Sequence, residues 1–520
     1  MSKTKATRRQ GGKCAPPRTK WSVRVCTVLV ILSFILFFAA QWFLSVYGQI
    51  GFDAVLFTLQ SSLSGVESAL VSSFLFLGLF PALLLGGITC LLLFTRSGKR
   101  LTLKLGGRRF RVFPLRSGVA IMLSIVLSVT LLGSAAVAVE LDDHIYDTLT
   151  KSRLFEEHYV DPDTVEITFP EEKRNLVYIM LESMEISFLS EELGGAADTN
   201  LIPELYQIAL DNTNFSHNDG VGGFHETSGA SWTIGSMVAQ TAGIPLKTPA
   251  GLDDWQNGYG KDGVFLPGAP SLTSVLSDAG YYTTLMVGSD ANFGGRKVYY
   301  TTHGTDYVYD IYTARKDGIV PKDYFVWWGM EDLHLFEYAR QELTEISQLD
   351  QPFAFTMLTV DTHHIGGYQC AYCDESVSGE TYDQSISCSS RQVLEFLNWL
   401  KAQPFWENTT VIITGDHCSM DKGYFTRNVD EDYERMVYNV IINAPVTSHN
   451  TKNRDYCAMD LFPTTLAALG CQIEGDRLGL GTNLFSDLPT LAEQYGFDSF
   501  NGKLSQSSDF YAEHFYEPKA

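Results

Sequence analysis

Basic residues are scarce in this chain of 520 residues, which has 38 Lys and Arg against 60 Asp and Glu. Sixteen of the basic residues lie within residues 1–116, where only Asp53 and Glu67 are acidic, so the rest of the chain carries a net charge of −36. Nucleic-acid binding needs basic faces, and the sequence therefore predicts no nucleic-acid partner. An anionic substrate has to be bound locally, by a metal ion or an arginine.

Lys and Arg are absent from residues 48–69, which separate the first two of three long apolar runs. The runs cover about residues 25–47, 70–94 and 119–139, and each nears or exceeds the roughly 20 residues needed to span a bilayer. Eight basic residues precede the first run, and eight more lie between the second and the third. The positive-inside rule predicts a multi-pass protein of the cell membrane, with a cytoplasmic N-terminus and everything after about residue 140 outside.

Composition divides the chain into five predicted segments. These are a basic cytoplasmic tail at 1–24, a transmembrane domain at 25–140, a juxtamembrane linker at 141–172, an extracytoplasmic globular domain at 173–490 and a C-terminal tail at 491–520.

Cysteine is also rare, with nine residues in all. Six of them lie in the part predicted to be outside: Cys370, Cys373, Cys388, Cys418, Cys457 and Cys471. Disulfides persist in such a compartment. Cys370-x-x-Cys373 lacks the second pair of a zinc ribbon, so the sequence favours a loop disulfide from Cys370 or Cys373 to Cys388 over a metal site.

Polar side chains follow four short apolar runs that are typical of strands in a parallel sheet. The runs at 175–181, 281–287, 353–360 and 411–413 are followed closely by Glu182, Asp290, His363 and the pair Asp416-His417. The carboxyl ends of parallel strands meet at one edge of a sheet, where ligands bind. An adjacent Asp-His pair offers an oxygen and a nitrogen to a divalent metal, although a surface turn is the alternative for that pair alone.

A glycine-rich loop and a run of hydroxyl residues occupy residues 220–245, with a predicted helix at 231–242. A hydroxyl at a helix start lies close to free backbone N–H groups and to the positive end of the helix dipole, a position that favours phosphate. A capping Ser or Thr in a flexible turn is the alternative. Arg296 ends another glycine-containing loop and suits bidentate phosphate binding, or is an ordinary surface charge.

These motifs together resemble the alkaline phosphatase-like superfamily, which includes the sulfatases, from about residue 170 to 490. Within it, the segments Ser231–Met237 and Asp476–Asn483 resemble the membrane phosphoglycerol transferases, among them lipoteichoic acid synthases and enzymes that modify periplasmic glucans. The resemblance implies an α/β fold, with an alkaline phosphatase-like central sheet flanked by helices and preceded by three transmembrane helices.

The resemblance also implies one catalytic metal ion, Mn2+, with Mg2+ or Zn2+ as alternatives. Its implied ligands are Glu182, Thr227, Asp416 and His417, and Thr227 is the implied nucleophile, with Ser228 and Thr233 as rivals. Arg296, His363 and Asp290 are the implied substrate-binding residues. A departure from the lipoteichoic acid synthases is Val287-Gly288-Ser289 in place of their His-Gly-Asp, which leaves the acceptor open.

The activity implied is transfer of phosphoglycerol from phosphatidylglycerol, through a phospho-threonine intermediate, to a glucan or polyglycerol phosphate acceptor, with release of diacylglycerol at the lipid bilayer. A phosphoethanolamine transferase or another phosphohydrolase of the superfamily is the first alternative. Sulfatases require Cys or Ser in a Cys/Ser-x-Pro-x-Arg context, and no such motif lies near Thr227. A membrane-anchored envelope protein without catalytic activity is the second alternative.

Overall fold

The structure is a computed structural model that describes residues 21–47, 52, 55–56, 68–95, 101–105, 108–113, 115–247 and 263–518. The chain divides into two compact units, of which one comprises residues 1–42 and 72–138 and the other residues 43–71 and 139–520. Most of the predicted tail at 1–24 and of the loop at 48–69 lies outside the described residues.

The three predicted transmembrane helices are confirmed as helices long and apolar enough to cross a membrane. They are α1 (Trp21–Tyr47), α2 (Val71–Phe94) and α3 (Ser117–Ala138). Val30 and Phe34 of α1 pack against Ala82 of α2, where small side chains allow close approach. A two-stranded antiparallel hairpin lies between α2 and α3, formed by β1 (Leu101–Leu105) and β2 (Arg108–Phe113).

The second unit is built on a seven-stranded sheet. The short strand β3 (Ile167–Thr168) precedes it. The sheet strands are β4 (Asn175–Leu181), β5 (Gly223–His225), β6 (Tyr282–Val287), β7 (Tyr307–Tyr309), β8 (Phe353–Leu358), β9 (Thr409–Gly415) and β10 (Met436–Ile442). The spatial order is β5-β10-β9-β4-β8-β6-β7, in which β9, β4, β8, β6 and β7 are parallel while β10 and β5 are antiparallel to their neighbours. The sheet is therefore mixed, with the predicted parallel strands at its centre.

Every residue of β8, β9 and β10 is buried, because helices cover both faces of the sheet. The helices of this unit up to β9 are α4 (Leu141–Leu149), α5 (Leu154–His158), α6 (Pro203–Asp211), α7 (Thr233–Ala242), α8 (Leu272–Asp278), α9 (Arg296–Thr302), α10 (Ile311–Asp317), α11 (Asp332–Ile346) and α12 (Thr381–Lys401). Those after β9 are α13 (Lys422–Asn428), α14 (Leu461–Ala468), α15 (Leu491–Tyr495), α16 (Phe497–Ser505) and α17 (Asp509–Phe515). Two short antiparallel strand pairs also belong to the unit: β11 (Gln472–Ile473) with β3, and β12 (Arg477–Leu478) with β13 (Gly481–Thr482).

The segments predicted as linker and tail pack against each other. Phe155 of α5 is buried, and its ring lies 5.4 Å from that of Tyr511 and 6.0 Å from that of Phe515, both in α17. Residues 491–518 thus form helices that contribute apolar side chains to the core of the second unit.

Candidate metal centre and active site

Glu182, Asp416 and His417 lie together at the carboxyl edge of the sheet. Glu182 follows β4, and the pair Asp416-His417 follows the adjacent parallel strand β9, so strand pairing alone brings them side by side. One ligand atom from each lies within 4.8 Å of the others, and all three side chains are buried. The structure therefore brings together three of the four predicted metal ligands.

Backbone geometry at the two strand ends fixes these side chains. A Cβ on Gly415 would lie 2.0 Å from the carbonyl oxygen of Met184, so only glycine fits where the chain after β9 passes the turn after β4. In that turn Ser183 has a φ of 54° and donates its N–H to Oδ1 of Asp416 at 2.8 Å. The same oxygen accepts the N–H of His417 at 2.8 Å. The other carboxylate oxygen of Asp416, Oδ2, is buried and has no hydrogen-bond partner among the described residues.

His417 presents Nε2 to the two carboxylates. Its Nδ1 lies 2.8 Å from the carbonyl oxygen of Cys418, an acceptor that fixes the proton on Nδ1. Nε2 lies 3.6 Å from Oε1 of Glu182 and 3.4 Å from Oδ2 of Asp416. This set of one imidazole nitrogen and two carboxylates, with a buried oxygen that lacks a partner, fits a divalent cation.

The pKa values of Asp416, His417 and Glu182 are shifted, because these buried groups lie close together. Burial and the charge of Glu182 raise the pKa of Asp416 to about 8. Burial opposes the charged form of His417, but Asp416 and Glu182 outweigh it and raise its pKa to about 9. Burial also opposes the charged form of Glu182, yet His363, His417 and the hydroxyl of Ser183 outweigh it and lower its pKa. A divalent cation would compete with protons for these same groups.

Thr233, the first residue of α7, faces this cluster. Its Oγ1 lies 3.5 Å from Oε2 of Glu182 and 3.5 Å from Nε2 of His417, and the residue is only partly buried. Thr227 lies in the preceding loop, is 2% exposed, and its Oγ1 has no hydrogen-bond partner among the described residues. Ser228, the other rival, donates its backbone N–H to Asn501 at 2.8 Å.

Helix α7 is tied to the end of β9 by polar side chains that sequence analysis missed. Gln240 donates to the carbonyl oxygen of Gly415 at 3.0 Å, and Ser236 donates to the carbonyl oxygen of Asp416. Tyr178 of β4 donates to Oε1 of Gln240 at 2.8 Å. Buried polar residues four positions apart in an otherwise apolar helix were the available sequence signal.

Arg296 is held by backbone and hydroxyl acceptors. It follows Gly294 and Gly295, both with positive φ, at 66° and 75°. Its Nε donates to the carbonyl oxygen of Phe293 at 3.0 Å, while Nη2 donates to Ser289 at 3.0 Å and to the carbonyl oxygen of Asp290 at 2.8 Å. Burial lowers the pKa of Arg296 to about 10, against the opposing charges of Glu182, Asp290 and Asp416. The guanidinium thus lies in the electrostatic field of Glu182 and Asp416, two of the predicted metal ligands.

The remaining two predicted substrate-binding residues differ in their surroundings. Burial lowers the pKa of His363, against the opposing charge of Glu182, and its ring centroid lies 4.6 Å from that of Trp328. Asp290 instead accepts hydrogen bonds from the backbone and side chain of Asn292, both at 2.9 Å, and from Tyr312 at 3.2 Å. The Asp290 carboxylate is therefore engaged by its own loop and by Tyr312 of α10.

Comparison with known proteins identifies the family. The sulfatase family model matches residues 174–471. The chain belongs to the sulfatase family. The site residues at the ends of β4 and β9, and the start of α7, all lie within the matched region.

Curated relatives of the chain include enzymes named phosphoglycerol transferase I. That of Xanthomonas campestris pv. campestris (strain B100) is 33% identical over 255 residues, 48% of this chain and 34% of the relative. That of Escherichia coli (strain 55989 / EAEC) is 28% identical over 487 residues, 90% of this chain and 57% of the relative. The chain thus spans between about a third and just over half of the length of these relatives.

Similar solved structures are also known. The lipoteichoic acid synthase LtaP from Listeria monocytogenes has a TM-score of 0.47 and 20% identity, over 62% of this chain and 79% of LtaP. The lipooligosaccharide phosphoethanolamine transferase A from Neisseria meningitidis has a TM-score of 0.48 and 12% identity, over 86% of this chain and 84% of the transferase.

Proposed function

We propose that this protein is a metal-dependent transferase that moves phosphoglycerol from phosphatidylglycerol to an extracytoplasmic acceptor hydroxyl, on a glucan or on polyglycerol phosphate, and releases diacylglycerol. The observation that carries the proposal is the hydroxyl of Thr233, which faces Glu182 and His417 from the start of a helix. The name of the curated relatives, one of which aligns with 90% of this chain, supports phosphoglycerol as the transferred group.

Glu182, Asp416 and His417 are the residues that would hold the cation, together with the nucleophile hydroxyl. Mn2+ is our first choice, and Mg2+ and Zn2+ suit the same oxygen and imidazole donors. A bound divalent cation would lower the pKa of a hydroxyl in its coordination shell and neutralise charge on the phosphoryl oxygens.

We propose Thr233 as the nucleophile, in preference to Thr227. A nucleophile has to meet a lipid phosphate, and Thr233 is partly exposed whereas Thr227 is 2% exposed. The start of α7 also supplies free backbone N–H groups and the positive end of the helix dipole, which stabilise negative charge on a phosphoryl group.

The reaction then has two balanced steps. Oγ1 of Thr233 bonds to phosphorus while the bond to the diacylglycerol oxygen breaks, and the proton lost by threonine is matched by the one that diacylglycerol gains. The acceptor oxygen next bonds to the same phosphorus, the bond to Thr233 breaks, and the threonine hydroxyl regains a proton. Arg296 would bind the phosphoryl oxygens, because hydrogen bonds to the carbonyl oxygens of Phe293 and Asp290 fix the orientation of its guanidinium. His363, beside Trp328, would bind or protonate the glycerol side of the substrate.

The membrane helices fit a lipid donor, since they would hold the catalytic unit at the bilayer that contains it. We propose that the N-terminus is cytoplasmic and the catalytic unit extracytoplasmic, because basic residues cluster before α1 and between α2 and α3.

An assay of the full-length protein in detergent tests the proposal. With Mn2+ and labelled phosphatidylglycerol, we expect diacylglycerol release and labelled glycerol phosphate on a glucan or polyglycerol phosphate acceptor. Preference for phosphatidylethanolamine would instead identify a phosphoethanolamine transferase. Failure to bind Mn2+, Mg2+ or Zn2+ at the Glu182 cluster, with no turnover of either lipid, would favour an envelope protein without catalytic activity.

A further inference from the structure

A second cluster of potential metal ligands lies outside the active site. Cys370 and Cys373 lie in the loop between β8 and α12, and Cys388 lies in α12. One sulfur from each lies within 4.8 Å of the other two. Cys370 Sγ is 3.8 Å from Cys373 Sγ and 3.6 Å from Cys388 Sγ.

These separations differ from those of a disulfide. Bonded sulfurs are about 2.05 Å apart, and all three cysteines are unbonded in the structure. Four thiolates at about 2.3 Å around a tetrahedral zinc ion lie about 3.8 Å from one another, which is the edge of that tetrahedron. The separations of Cys370 Sγ from the other two sulfurs, 3.8 Å and 3.6 Å, match this edge. A disulfide would also use two of the three cysteines and leave the third unexplained, whereas a metal ion uses all three.

The backbone and side chains around the sulfurs fit thiolate ligands. Cys373 donates its N–H to the carbonyl oxygen of Cys370 at 3.1 Å, which forms a tight Cys-x-x-Cys turn. Arg391 donates from Nη2 to the carbonyl oxygen of Tyr372 at 3.2 Å, so a positive charge lies beside a site that would carry three negative sulfurs.

The amide of Gln392 closes the cluster. This residue is 3% exposed, and its Nε2 lies 3.3 Å from Cys388 Sγ and 3.8 Å from Cys370 Sγ. Its Oε1 is buried and has no hydrogen-bond partner among the described residues. A 180° rotation of this amide, which exchanges the positions of its oxygen and nitrogen, would direct Oε1 toward the sulfurs as a fourth ligand.

We infer that Cys370, Cys373 and Cys388 form a zinc site, with the Gln392 amide at its fourth corner. Soft thiolates in tetrahedral arrangement select zinc over the harder Mg2+ and Mn2+. The ion would join the loop that carries His363 and His364 to α12, so it would fix the loop from which the substrate-binding histidine projects. This inference replaces the loop disulfide expected from the sequence, and it does not depend on the proposed function.

Metal analysis of the full-length protein in detergent tests the inference. The compared forms are the unsubstituted protein, Cys373→Ser, Cys388→Ser, the control Cys471→Ser, whose buried thiol lies outside the cluster, and Asp416→Asn, which alters only the active-site cluster. After dialysis against a weak chelator, we expect roughly one zinc per chain in the unsubstituted protein, Cys471→Ser and Asp416→Asn. Cys373→Ser and Cys388→Ser should lose it. Full zinc retention in Cys388→Ser would overturn the site.

Two readouts on folded protein guard against variants that fail to fold. Cobalt added in place of zinc should give a thiolate charge-transfer band and tetrahedral visible bands in the unsubstituted protein and in Cys471→Ser. Peptide mapping after alkylation of the unsubstituted protein should show Cys370, Cys373 and Cys388 protected until a strong chelator is added. A disulfide between any two of them in the non-reduced peptide map, without bound zinc, would refute the inference.

Discussion

Oγ1 of Thr233 lies 3.5 Å from Nε2 of His417, across the gap between the start of α7 and the end of β9. The contact joins Thr233, which follows a loop rich in glycine and other small residues, to His417, which follows the buried strand β9. It holds because Ser236 and Gln240, further along α7, donate hydrogen bonds to the backbone at the end of β9.

This relationship predicts different outcomes for the two candidate threonines. Thr233→Ala should lower diacylglycerol release at least about 10³-fold, because the covalent step loses its nucleophile. Thr227→Ala should retain activity within about tenfold, since the Thr227 hydroxyl is buried and bonds to no described residue. The measurement is initial rate with labelled phosphatidylglycerol, and trapping of a labelled phospho-threonine peptide identifies the residue directly. An inactive Thr227→Ala beside an active Thr233→Ala would return the role to Thr227.

Asp416→Asn should separate metal binding from folding. Its Oδ1 accepts the N–H groups of Ser183 and His417, and an asparagine oxygen can accept both, so we expect the thermal unfolding midpoint to change little. Oδ2 has no partner among the described residues, and its replacement by an amide N–H removes an anionic ligand. Mn2+ affinity, measured by calorimetry, should fall at least about tenfold. Unchanged affinity would exclude Asp416 as a ligand.

Arg296→Lys should reduce kcat/KM by about 10- to 100-fold, the effect of losing one charged hydrogen bond to a phosphoryl oxygen. Lysine keeps the positive charge but lacks the planar group that Phe293 and Asp290 hold in place. Arg174→Lys is the matched control, because Arg174 donates to Thr410 at 3.0 Å and to the carbonyl oxygen of Asn443 at 2.7 Å, at the opposite ends of the strands. Equal losses in both variants would indicate a general effect on folding.

The sequence places Glu182 and Asp416 together more directly than it places a hydroxyl beside them, and local structure explains the difference. Glu182 follows the buried strand β4, and Asp416 follows the buried strand β9. These strands are adjacent and parallel, so their carboxyl ends lie side by side. Thr227 and Ser228 lie in a loop of small residues that leads into Thr233, and local preference does not decide which hydroxyl begins the helix. That choice depends on contacts of α7 with β9, which are distant in sequence.

The boundaries of helices also depend on tertiary contacts that local sequence preference does not reveal. The sequence predicts a helix from Ser389 to Lys401, yet α12 begins at Thr381. The added turns contain several Ser residues and a Cys, which favour helix weakly, but Tyr382 and Ile386 lie four residues apart and are both buried. Burial of this apolar pair supplies the stability that local preference lacks. The same extension brings Cys388 inside a helix, where its thiol meets Cys370.

Asp460 predicts a pH dependence of stability away from the active site. Its carboxylate accepts the N–H of Cys457 at 2.9 Å and of Thr482 at 2.7 Å, but burial outweighs these bonds and raises its pKa to about 6. In the unfolded chain the pKa is about 3.9. The folded state therefore binds the proton more tightly, and its contribution to stability is present below about pH 4 and lost as pH rises to about 6.

The test is the free energy of unfolding in urea across this window. Between about pH 4 and pH 6, Asp460 should lower stability by about 2 kcal/mol with rising pH. Asp460→Asn does not titrate, so its stability should fall less, or rise more, than that of the unsubstituted protein over the same window. Parallel curves for the two proteins would contradict the raised pKa.

The ion pair between Arg454 and Glu493 predicts that the C-terminal helices are part of the folded core. Arg454 is 2% exposed, and its Nε and Nη2 lie 2.5 Å and 3.3 Å from the two carboxylate oxygens of Glu493, in α15. Arg454→Met should cost about 3–5 kcal/mol, because Glu493 loses its partner in a partly buried position.

Lys151→Met is the matched control, since Lys151 also pairs with a C-terminal helix, at 2.5 Å from Asp509 of α17. Its side chain and that of Asp509 are 65% and 63% exposed. Water screens such a pair, so its loss should cost less than about 1 kcal/mol. The thermal unfolding midpoint should therefore fall clearly in Arg454→Met and stay nearly constant in Lys151→Met. Equal midpoints in the two variants would mean that residues 491–518 unfold separately from the rest of the unit. Only then would loss of the buried ion pair lower the unfolding midpoint no more than loss of the exposed one.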